Sequence, residues 1–315
     1  MTSACPPILS RRAAIAAGLS AGAAALCPPM SGAATASAGP LVTKAIPSSG
    51  QRLPVIGLGT NAFTARSPED LAKRQSVLKQ LPLLGGKVID TAHIYGQSEQ
   101  VIGDTLAALG TREQVFLSTK VMAQDAAAAH SQIEQSFQSL KTQRIDLLEI
   151  HNLMGIETVY PILLELKKSG RIGYLGVTTS RPDDHAALAE TMRQHRYDFI
   201  QVDYSIGDRS AADQVLPLAL ERGTAVLINV PFGGRRGSVF SQVAERQLPP
   251  WAADIDAASW GQFFLKYVVS HPAVTCAIPG TTDVAHLEDN LAAGRGRMPD
   301  AAMRKRMEQF WDSKT

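Results

Sequence analysis

The sequence predicts an α/β fold, a (β/α)8 TIM barrel, from three observations. Short apolar β-rich runs alternate with stretches of helical periodicity from residue 53 onward. Most of these runs are continuous Val, Ile, Leu and Phe without polar alternation, which is typical of strands buried on both faces. Eight strand–helix units fit into the roughly 250 residues that a closed parallel barrel needs.

Each predicted strand is bounded by turn-forming or polar residues. The eight strands are residues 54–58, 87–90, 115–119, 146–151, 174–177, 198–203, 224–230 and 274–279. Between them, Ser67 and Pro68 have the pattern of a helix start, followed by acids in the first turn. Residues 181–184 open another helix similarly, and Gly170 and Gly223 stand where helices end.

A doubly wound sheet is the competing architecture. It would need a glycine fingerprint after the first strand, but residues 57–60, Gly-Leu-Gly-Thr, lack the later glycine and the helix start. Two segments fall outside the barrel repeat. Residues 41–52 predict a short N-terminal hairpin with a Ser-Ser-Gly turn that plugs the lower end. Residues 231–257 form a long loop after strand seven, and long loops at this face are usually functional, although a mobile insertion is the alternative.

The first 38 residues predict an export signal. Arg11 and Arg12 are the only charged residues there, and an apolar Ala-rich run and a small-residue stretch follow them. This order is typical of a secretory signal peptide, and Ser10-Arg11-Arg12 favours the twin-arginine type over a disordered tail. The run is too short for a stable membrane span. We therefore expect cleavage after Ala38, a periplasmic or otherwise exported protein, and a barrel domain over residues 39–315.

Removing the signal changes the charge and the cysteine content. The formal net charge of the whole chain is +2, so without Arg11 and Arg12 the mature protein is neutral. Net charge then gives no reason to expect a nucleic-acid partner. Cys5 and Cys27 lie in the signal, so Cys276 remains alone and no intramolecular disulfide is possible.

Four titratable residues are predicted to meet at one rim of the barrel. Asp90, Lys120 and His151 lie at the ends of strands two, three and four, and Tyr95 lies in the loop after strand two. Catalytic groups of such barrels stand at the C-terminal ends of the strands. Each residue alone has a structural explanation, but their convergence predicts an acid–base site without a metal.

The chemistry of these four residues suits carbonyl reduction. An alkoxide formed by hydride addition needs a proton, which Tyr95 can supply. The ammonium group of Lys120 lowers the pKa of a nearby phenol, and Asp90 would keep Lys120 charged and oriented. His151 can donate a hydrogen bond that polarises the carbonyl.

The segment from Asp90 through Tyr95 to Gly103 resembles the signature of the aldo-keto reductase family. Residues 118–121 and 150–152 are similar to the family's lysine and histidine stations, and residues 140–148, 167–172 and 278–281 resemble further family segments. The resemblance spans residues 52–293. It implies a (β/α)8 barrel that transfers a hydride between NADP(H) or NAD(H) and an aldehyde, a ketone or the matching alcohol, with the four roles given above.

The resemblance also implies a set of cofactor contacts. Thr178 and Thr179 stand where the family usually has Ser-Asn, Gln201 matches a glutamine that holds the carboxamide, and Asn229 replaces a stacking ring, for which Phe232 could substitute. The cofactor-binding residues expected on this basis are Thr178, Thr179, Gln201, Asn229, Pro231, Phe232, Gly233, Arg235, Gly280, Thr281, Thr282, His286, Asp289 and Asn290.

The sequence favours NADP(H) over NAD(H). A 2′-phosphate needs charge-assisted partners, but the segment near strand eight offers His286 and no Lys or Arg. Arg235 and Arg236 of the long loop could supply the charge. For an exported protein, we expect the cofactor to be bound before transport and retained, with a second substrate returning the hydride.

Two other classes of protein stay open on the sequence. One is a non-catalytic nicotinamide-binding module that senses redox state. The other is a barrel hydrolase or isomerase, whose metal could be held by Asp90, His93 and His151. Candidates for the substrate pocket, which could equally be packing residues, are Phe63, Met154, Tyr204, Phe232 and Trp251.

Overall fold

The computed structural model describes residues 39–234 and 237–313. Within them, eight parallel strands, β3 to β10, pair in the order in which they occur in the chain. A two-stranded antiparallel hairpin, β1 and β2, precedes them. The strands are β1 Thr43–Ala45, β2 Arg52–Pro54, β3 Leu58–Gly59, β4 Val88–Asp90, β5 Phe116–Val121, β6 Ile145–Ile150, β7 Ile172–Thr178, β8 Phe199–Val202, β9 Ala225–Ile228 and β10 Cys276–Ala277.

The sheet closes on itself, which confirms the predicted barrel. Parallel bridges join Ile56 to Ala277 and Gly59 to Gly280, so the first and last strands are neighbours. The amide of Gly59 donates to Pro279 O at 3.1 Å. A Cβ at Gly59 would lie 2.7 Å from Ile278 O, so the seam requires glycine at this close approach.

Helices follow the strands and cover the outside of the barrel. Ser67 Oγ accepts the amide of Asp70 at 3.1 Å, and this contact caps the first helix as predicted. Gly223 ends the sixth helix with φ of 64°, which a β-carbon would disfavour. The helices are α1 Pro68–Leu83, α2 Ser98–Leu109, α3 Ala126–Ser139, α4 Ile156–Lys168, α5 His185–Gln194, α6 Val215–Arg222, α7 Trp260–Val269, α8 Val284–Ala292 and α9 Ala301–Asp312.

Several predicted strand bounds differ from those of the structure, and two of the differences matter for the site. The predicted first strand, 54–58, is divided between β2, which ends at Pro54, and β3, which begins at Leu58. The predicted third strand was too short, since β5 runs on to Val121. Lys120 therefore lies inside a strand that pairs with β6, opposite Glu149, rather than after the strand.

The lower interior of the barrel is apolar and is closed by the hairpin. Ile46 and Leu53 of the hairpin segment are buried and pack against the inward side chains of the strands. Full burial of a large apolar side chain contributes about 1.5–3 kcal/mol relative to exposure. The predicted plug is thus confirmed, and we call the other buried residues of this cluster, which lie in or directly after the strands, the floor: Val88, Phe116, Leu147, Phe199, Ala225, Leu227, Cys276 and Ile278.

The long loop after β9 contains two short 3-10 turns, Val239–Gln242 and Pro250–Ile255. Its second half is anchored, because the Trp251 ring lies 5.6 Å from the rings of both Phe263 on α7 and Phe310 on α9. Among the helices of the described residues, none has the length and apolar character to cross a membrane.

Candidate active site

The centre of the site is a buried ion pair between β4 and β5. Lys120 Nζ donates to both carboxylate oxygens of Asp90 at 2.7 Å and to Thr91 O at 2.7 Å. Lys120 is 1% exposed and Asp90 3%. Burial is the largest single influence and would lower the pKa of Lys120, but the surrounding negative charges, chiefly Asp90, and the hydrogen bond to Asp90 together outweigh it and raise the pKa. The ammonium group therefore stays charged and fixed, as the sequence predicts.

Tyr95 lies beside this pair in the loop between β4 and α2. Its amide donates to Ala92 O at 2.9 Å, which turns the loop back over the strand end. The Lys120 Nζ lies 5.6 Å from the centre of the Tyr95 ring. The ring of His151 meets the same phenol ring edge-on at 6.1 Å. The structure thus brings together all four residues that the sequence singled out.

The pKa of Tyr95 is raised, although the sequence argument expected Lys120 to lower it. Burial is the largest cause, Lys120 opposes it, and the negative charge of Asp90, with that of Glu149 when it is ionised, adds to the increase. Lys120 therefore acts in the expected direction but is outweighed. The phenol consequently keeps its proton at neutral pH, which is the state that an acid needs.

His151 is a neutral imidazole in this site. Burial and the positive charge of Lys120 lower its pKa to about 3. Its Nδ1 is buried and has no hydrogen-bond partner within the described ranges. The residues that follow bend sharply, because Asn152 and Leu153 have φ of 53° and 58°. Such conformations cost on the order of 1 kcal/mol for a residue like leucine, and they occur mainly where a site holds them in place.

A polar layer below the four residues was only partly found from the sequence. Gln201 Nε2 donates to Asp90 Oδ1 at 2.9 Å and to Glu149 Oε2 at 3.1 Å. Ser118 Oγ lies 3.1 Å from Asp90 Oδ1 and 3.3 Å from Glu149 Oε2. Burial is the largest cause that raises the pKa of Glu149, to about 8. Sequence reasoning missed Glu149, although alternation along β6 puts it on the same face as His151.

On the cofactor side, the predicted residues at β7 to β9 form a connected group. Thr178 Oγ1 accepts the amide of Asn152 at 3.1 Å, and Thr179 Oγ1 donates to Asp184 Oδ2 at 3.0 Å. Asn229 Nδ2 donates to Thr179 O at 2.9 Å and approaches Gln201 Oε1 at 3.4 Å. Asn229 Oδ1 is buried without a partner in the described part of the chain. This oxygen is an acceptor that a carboxamide N–H of a nicotinamide would satisfy.

The residues predicted to hold the adenosine phosphate lie where β10 leads into α8. Asp283 Oδ1 accepts the amides of Ala285 and His286 at 2.8 and 3.2 Å, and so caps the helix. Those two hydrogen bonds are the main causes of the lowered pKa of Asp283, to which the charges of His286 and Lys73 also contribute. Lys73 on α1 is thus a cation near this helix start that sequence reasoning missed. No local sequence pattern pointed to Lys73, because only the packing of α1 against α8 brings it to this place.

The other predicted cofactor residues have different surroundings. Asp289 has both oxygens engaged, with Ser259 Oγ at 2.7 Å and Gln262 Nε2 at 2.7 Å. Asn290 is buried on α8. The threonines Thr281 and Thr282 are half-buried, and a Cβ at Gly280 would lie 3.2 Å from Asn61 Oδ1.

The start of the long loop lies next to Asn229. Pro231 is buried, Phe232 is half-buried with its ring 4.9 Å from that of Phe240, and Gly233 has φ of 72°. A Cβ at Gly233 would meet Gly237 O, so this turn requires glycine. Arg235, like its neighbour Arg236, lies outside the described residues, as does the predicted signal over residues 1–38.

Three of the five pocket candidates are packing residues instead. Phe63 is fully buried, and Trp251 packs on α7 and α9. Tyr204 is 1% exposed, and its hydroxyl contacts Tyr267 at 3.0 Å and Arg304 at 2.8 Å, in a cleft that α7 and α9 line. The rings of Tyr204 and Trp251 lie in the helix layer, where they contact side chains of α7 and α9. Met154 and Phe232 stay partly exposed.

The residues proposed above for a hydrolase-type metal site are not arranged as ligands. His93 Nδ1 faces Glu99 Oε2 at 3.7 Å instead. Across the ranges that the structure describes, no three His, Cys, Asp or Glu residues are grouped so that they could hold a metal ion. The side chains of Asp90, Tyr95, Lys120 and His151 instead form one connected group of titratable residues.

Comparison with known proteins agrees with this geometry. The sequence profile described as the aldo/keto reductase family matches residues 55–311. The methylglyoxal reductase YeaE of Escherichia coli K12 is 30% identical over 252 residues, which cover 76% of this chain and 85% of that protein. The aldo-keto reductase str7 of Strobilurus tenacellus is 28% identical over 296 residues, 80% of this chain and 86% of the relative.

Solved structures show the same fold. An aldo-keto reductase of Klebsiella pneumoniae in complex with NADPH superposes with a TM-score of 0.70 at 22% identity, covering 86% of this chain and 96% of that one. The aldo-keto reductase AKR11C1 of Bacillus halodurans, in its holo form, also has a TM-score of 0.70 at 22% identity, with 85% and 96% covered. The chain therefore belongs to the aldo/keto reductase family and is a nicotinamide-dependent carbonyl oxidoreductase.

Proposed function

We propose that the chain reduces aldehydes or ketones with Tyr95 as the general acid, and that the reverse oxidation uses the same residue as the base. The observation that carries this proposal is the position of a protonated, mostly buried phenol beside the Asp90–Lys120 pair and the His151 ring. A proton donor must lie within reach of the oxygen on which charge develops. Tyr95 is the residue of this group that holds a transferable proton at neutral pH and faces the rim.

Lys120 and His151 support this step in different ways. The fixed positive charge of Lys120 stabilises the phenolate that forms when Tyr95 gives up its proton, and Asp90 holds that charge in place. His151 is neutral, so it orients a carbonyl oxygen by a hydrogen bond rather than by charge. Because the pKa of His151 is about 3, its imidazole does not compete with Tyr95 as the acid near neutral pH.

The residues around β7 to β9 fit a nicotinamide ring. The unpartnered acceptor Asn229 Oδ1 supports this fit, and Thr178 and Gln201 lie beside it. When bound, the cofactor supplies the hydride. Asn229 and the Gln201 amide would orient the carboxamide, and the buried threonines would close the side of the site that faces α5.

Small aldehydes are the substrates to test first, beginning with methylglyoxal, since the E. coli relative at 30% identity is named for it. The mature protein should consume NADPH when methylglyoxal or an aldehyde from a panel is added, measured by absorbance. Tight NADPH binding with no consumption across aldehydes and ketones would contradict the proposal and favour the non-catalytic redox sensor.

We further propose that NADP(H) is preferred to NAD(H). His286 and Lys73 are both close enough to Asp283 to influence its ionisation, which puts an imidazole and the ammonium group of Lys73 near the start of α8. Charge-assisted contacts of this kind contribute roughly 1.5–3 kcal/mol, so Lys73→Glu should weaken NADPH binding by about tenfold or more. NADH binding should change much less, and Lys79→Glu on the same helix is the matched control. Equal weakening of both nucleotides would contradict the preference.

Export through the twin-arginine route is proposed on sequence grounds alone. The Ser10-Arg11-Arg12 pattern followed by an Ala-rich run supports it. A folded chain that retains its nucleotide would suit this route, with a second substrate returning the hydride outside the cytoplasm. Fractionation should find the cleaved protein in the periplasm with nucleotide bound, and Arg11→Lys/Arg12→Lys should retain it in the cytoplasm. Recovery of the exported form without nucleotide, and with weak rebinding, would contradict retention.

A further inference from the structure

Glu149 is a further buried ionisable group at the centre of the barrel, and the proposed proton transfer does not use it. It lies on β6, two residues before His151, and is 0% exposed. Its Oε2 is within hydrogen-bond distance of Ser118 Oγ and Gln201 Nε2. Its Oε1 is buried with no hydrogen-bond partner among the described residues.

The barrel is shaped around this side chain. Gly176 pairs opposite Glu149 in the register of β6 and β7. A Cβ at position 176 would lie 3.0 Å from Glu149 Cγ and 3.1 Å from Oε1, closer than side chains normally pack. On the other side Lys120 pairs opposite Glu149. The carboxyl group is therefore held in one place, next to the ion pair and linked to Asp90 through Ser118 and Gln201.

Counting hydrogens indicates that Glu149 carries a proton. Gln201 Nε2 has two hydrogens and can serve Asp90 and Glu149 together. Ser118 has a single hydroxyl hydrogen, yet its Oγ lies near a carboxyl oxygen of each. If Glu149 is protonated, it donates to Ser118, which in turn donates to Asp90. If Glu149 is ionised, one of the two Ser118 contacts has no hydrogen.

The charges that face Glu149 lead to the same state. Asp90 comes from β4, Lys120 from β5 and Tyr95 from the loop after β4. On β10, burial and the charge of Asp90 raise the pKa of the Cys276 thiol. Strands β7 and β8 contribute Gly176 and Gln201, which do not ionise. Lys120 is already bound to both oxygens of Asp90. A second carboxylate would be a buried charge without a partner, which is strongly unfavourable.

We propose that Glu149 is a positioning residue that stays protonated at neutral pH, so that the positive charge of Lys120 is balanced by Asp90 alone and remains available to the phenolate of Tyr95. Loss of the Glu149 proton adds a negative charge beside Lys120 and Tyr95 and makes Tyr95 a weaker acid. The part of this inference that concerns Tyr95 rests on the proposed function. The protonation of Glu149 does not.

Infrared spectroscopy of the full-length mature protein tests the protonation directly. At pH 6 to 7 the wild type should show a carboxylic-acid carbonyl band from a buried group, which disappears with a midpoint near pH 8. The band should be missing in Glu149→Gln and retained in Glu99→Gln, a second buried glutamate that bonds to Thr119. Absence of the band in the wild type, or its persistence in Glu149→Gln, would overturn the proposal.

The pH dependence of carbonyl reduction tests the effect on Tyr95. In the wild type kcat/KM should begin to fall near pH 8, and in Glu149→Gln this fall should move up by about one pH unit or more, toward the titration of Tyr95 itself. If Glu149 had a merely structural role, Glu149→Gln would lower kcat/KM at every pH without moving the midpoint of its fall. An unchanged midpoint in Glu149→Gln would therefore overturn the positioning role.

The two measurements separate this inference from the proposed function. A titrating band in a protein that reduces no carbonyl would support the protonated Glu149 and reject the proposed reductase role. Reduction that depends on Tyr95, in a protein without the band, would support the proposed reductase role and reject the protonated Glu149. Because the wild-type titration needs no variant, poor folding of Glu149→Gln would not prevent a decision.

Discussion

The lower and the upper interior of the barrel are built by the same strands but have opposite chemistry. The floor is apolar, with Val88, Phe116, Leu147 and Phe199 buried against the hairpin. Two residues further along the same four strands stand Asp90, Ser118, Glu149 and Gln201, which are as deeply buried but are polar or ionisable. A step of two residues, about 6.6 Å along a strand, separates the part that stabilises the fold from the part that performs chemistry.

This arrangement has an electrostatic consequence. Because Ile46 and Leu53 close the barrel from below, the polar layer has apolar side chains beneath it instead of water. Charge interactions are stronger in such surroundings than in solvent. The Asp90–Lys120 pair and the unpartnered Glu149 oxygen can therefore influence Tyr95 strongly. Substitutions in the two layers should affect different quantities.

The largest effect is expected when the phenol of the upper layer loses its hydroxyl. Tyr95→Phe should lower kcat/KM for carbonyl reduction by roughly 10²–10⁴-fold, the usual contribution of a general acid, with little change in thermal stability. Steady-state kinetics and a melting curve measure the two effects. The matched control is Tyr174→Phe, whose hydroxyl contacts Ser49 and Gln51 of the hairpin instead. If both variants lose activity equally, the hydroxyl of Tyr95 has no special role.

A cavity in the floor should have the reverse effect. Phe199 is fully buried and packs on Phe116 and Tyr174, with ring centres 5.8 and 5.4 Å away. Phe199→Ala should lower the free energy of unfolding by about 3–5 kcal/mol, measured by urea denaturation. The pH midpoints of kcat/KM should not move. Phe240→Ala, at a side chain that is 40% exposed, should lower the free energy of unfolding far less. Shifted pH midpoints in Phe199→Ala would show that the layers are coupled.

Breaking the ion pair should affect stability and activity together. Asp90→Asn leaves the ammonium of Lys120 without its carboxylate, and loss of one partner of a buried pair costs about 3 kcal/mol or more. The double variant Asp90→Asn/Lys120→Met removes the uncompensated charge. It should regain much of the stability in a melting curve while activity stays lost. If it is no more stable than Asp90→Asn, burial of the charge is not what destabilises the single variant.

The sequence predicted the catalytic residues better than their surroundings. Asp90, Tyr95, Lys120 and His151 could be found because they lie at strand ends next to a specific motif. Glu149 lies inside an apolar run, where a single carboxylate resembles an ordinary strand residue unless the inward face is followed residue by residue. The sequence left open whether Tyr204 and Trp251 line the pocket or pack, because position after a strand does not say whether a ring turns to the rim or to the helix layer. That choice depends on α9, which no local pattern connects to them.

The smallest effect concerns the pH dependence that His151 gives to the fold. Burial, together with Lys120, lowers its pKa from 6.5 to about 3. Between these values the unfolded chain binds a proton that the folded chain does not, so stability falls as the pH falls below 6.5. At pH 5 this amounts to about 2 kcal/mol, which His151→Asn should remove in melting curves recorded from pH 7 to pH 5. His271, in the loop between α7 and β10, acts in the same direction, since burial lowers its pKa to about 4. His271→Asn should therefore also reduce the acid sensitivity of the fold, but without loss of reductase activity.

Since His151 is neutral at every working pH, wild-type kcat/KM should show no acid limb near pH 6.5. A limb there that vanishes in His151→Asn would mean that the imidazole titrates normally and that the upper layer is wetter than its burial indicates.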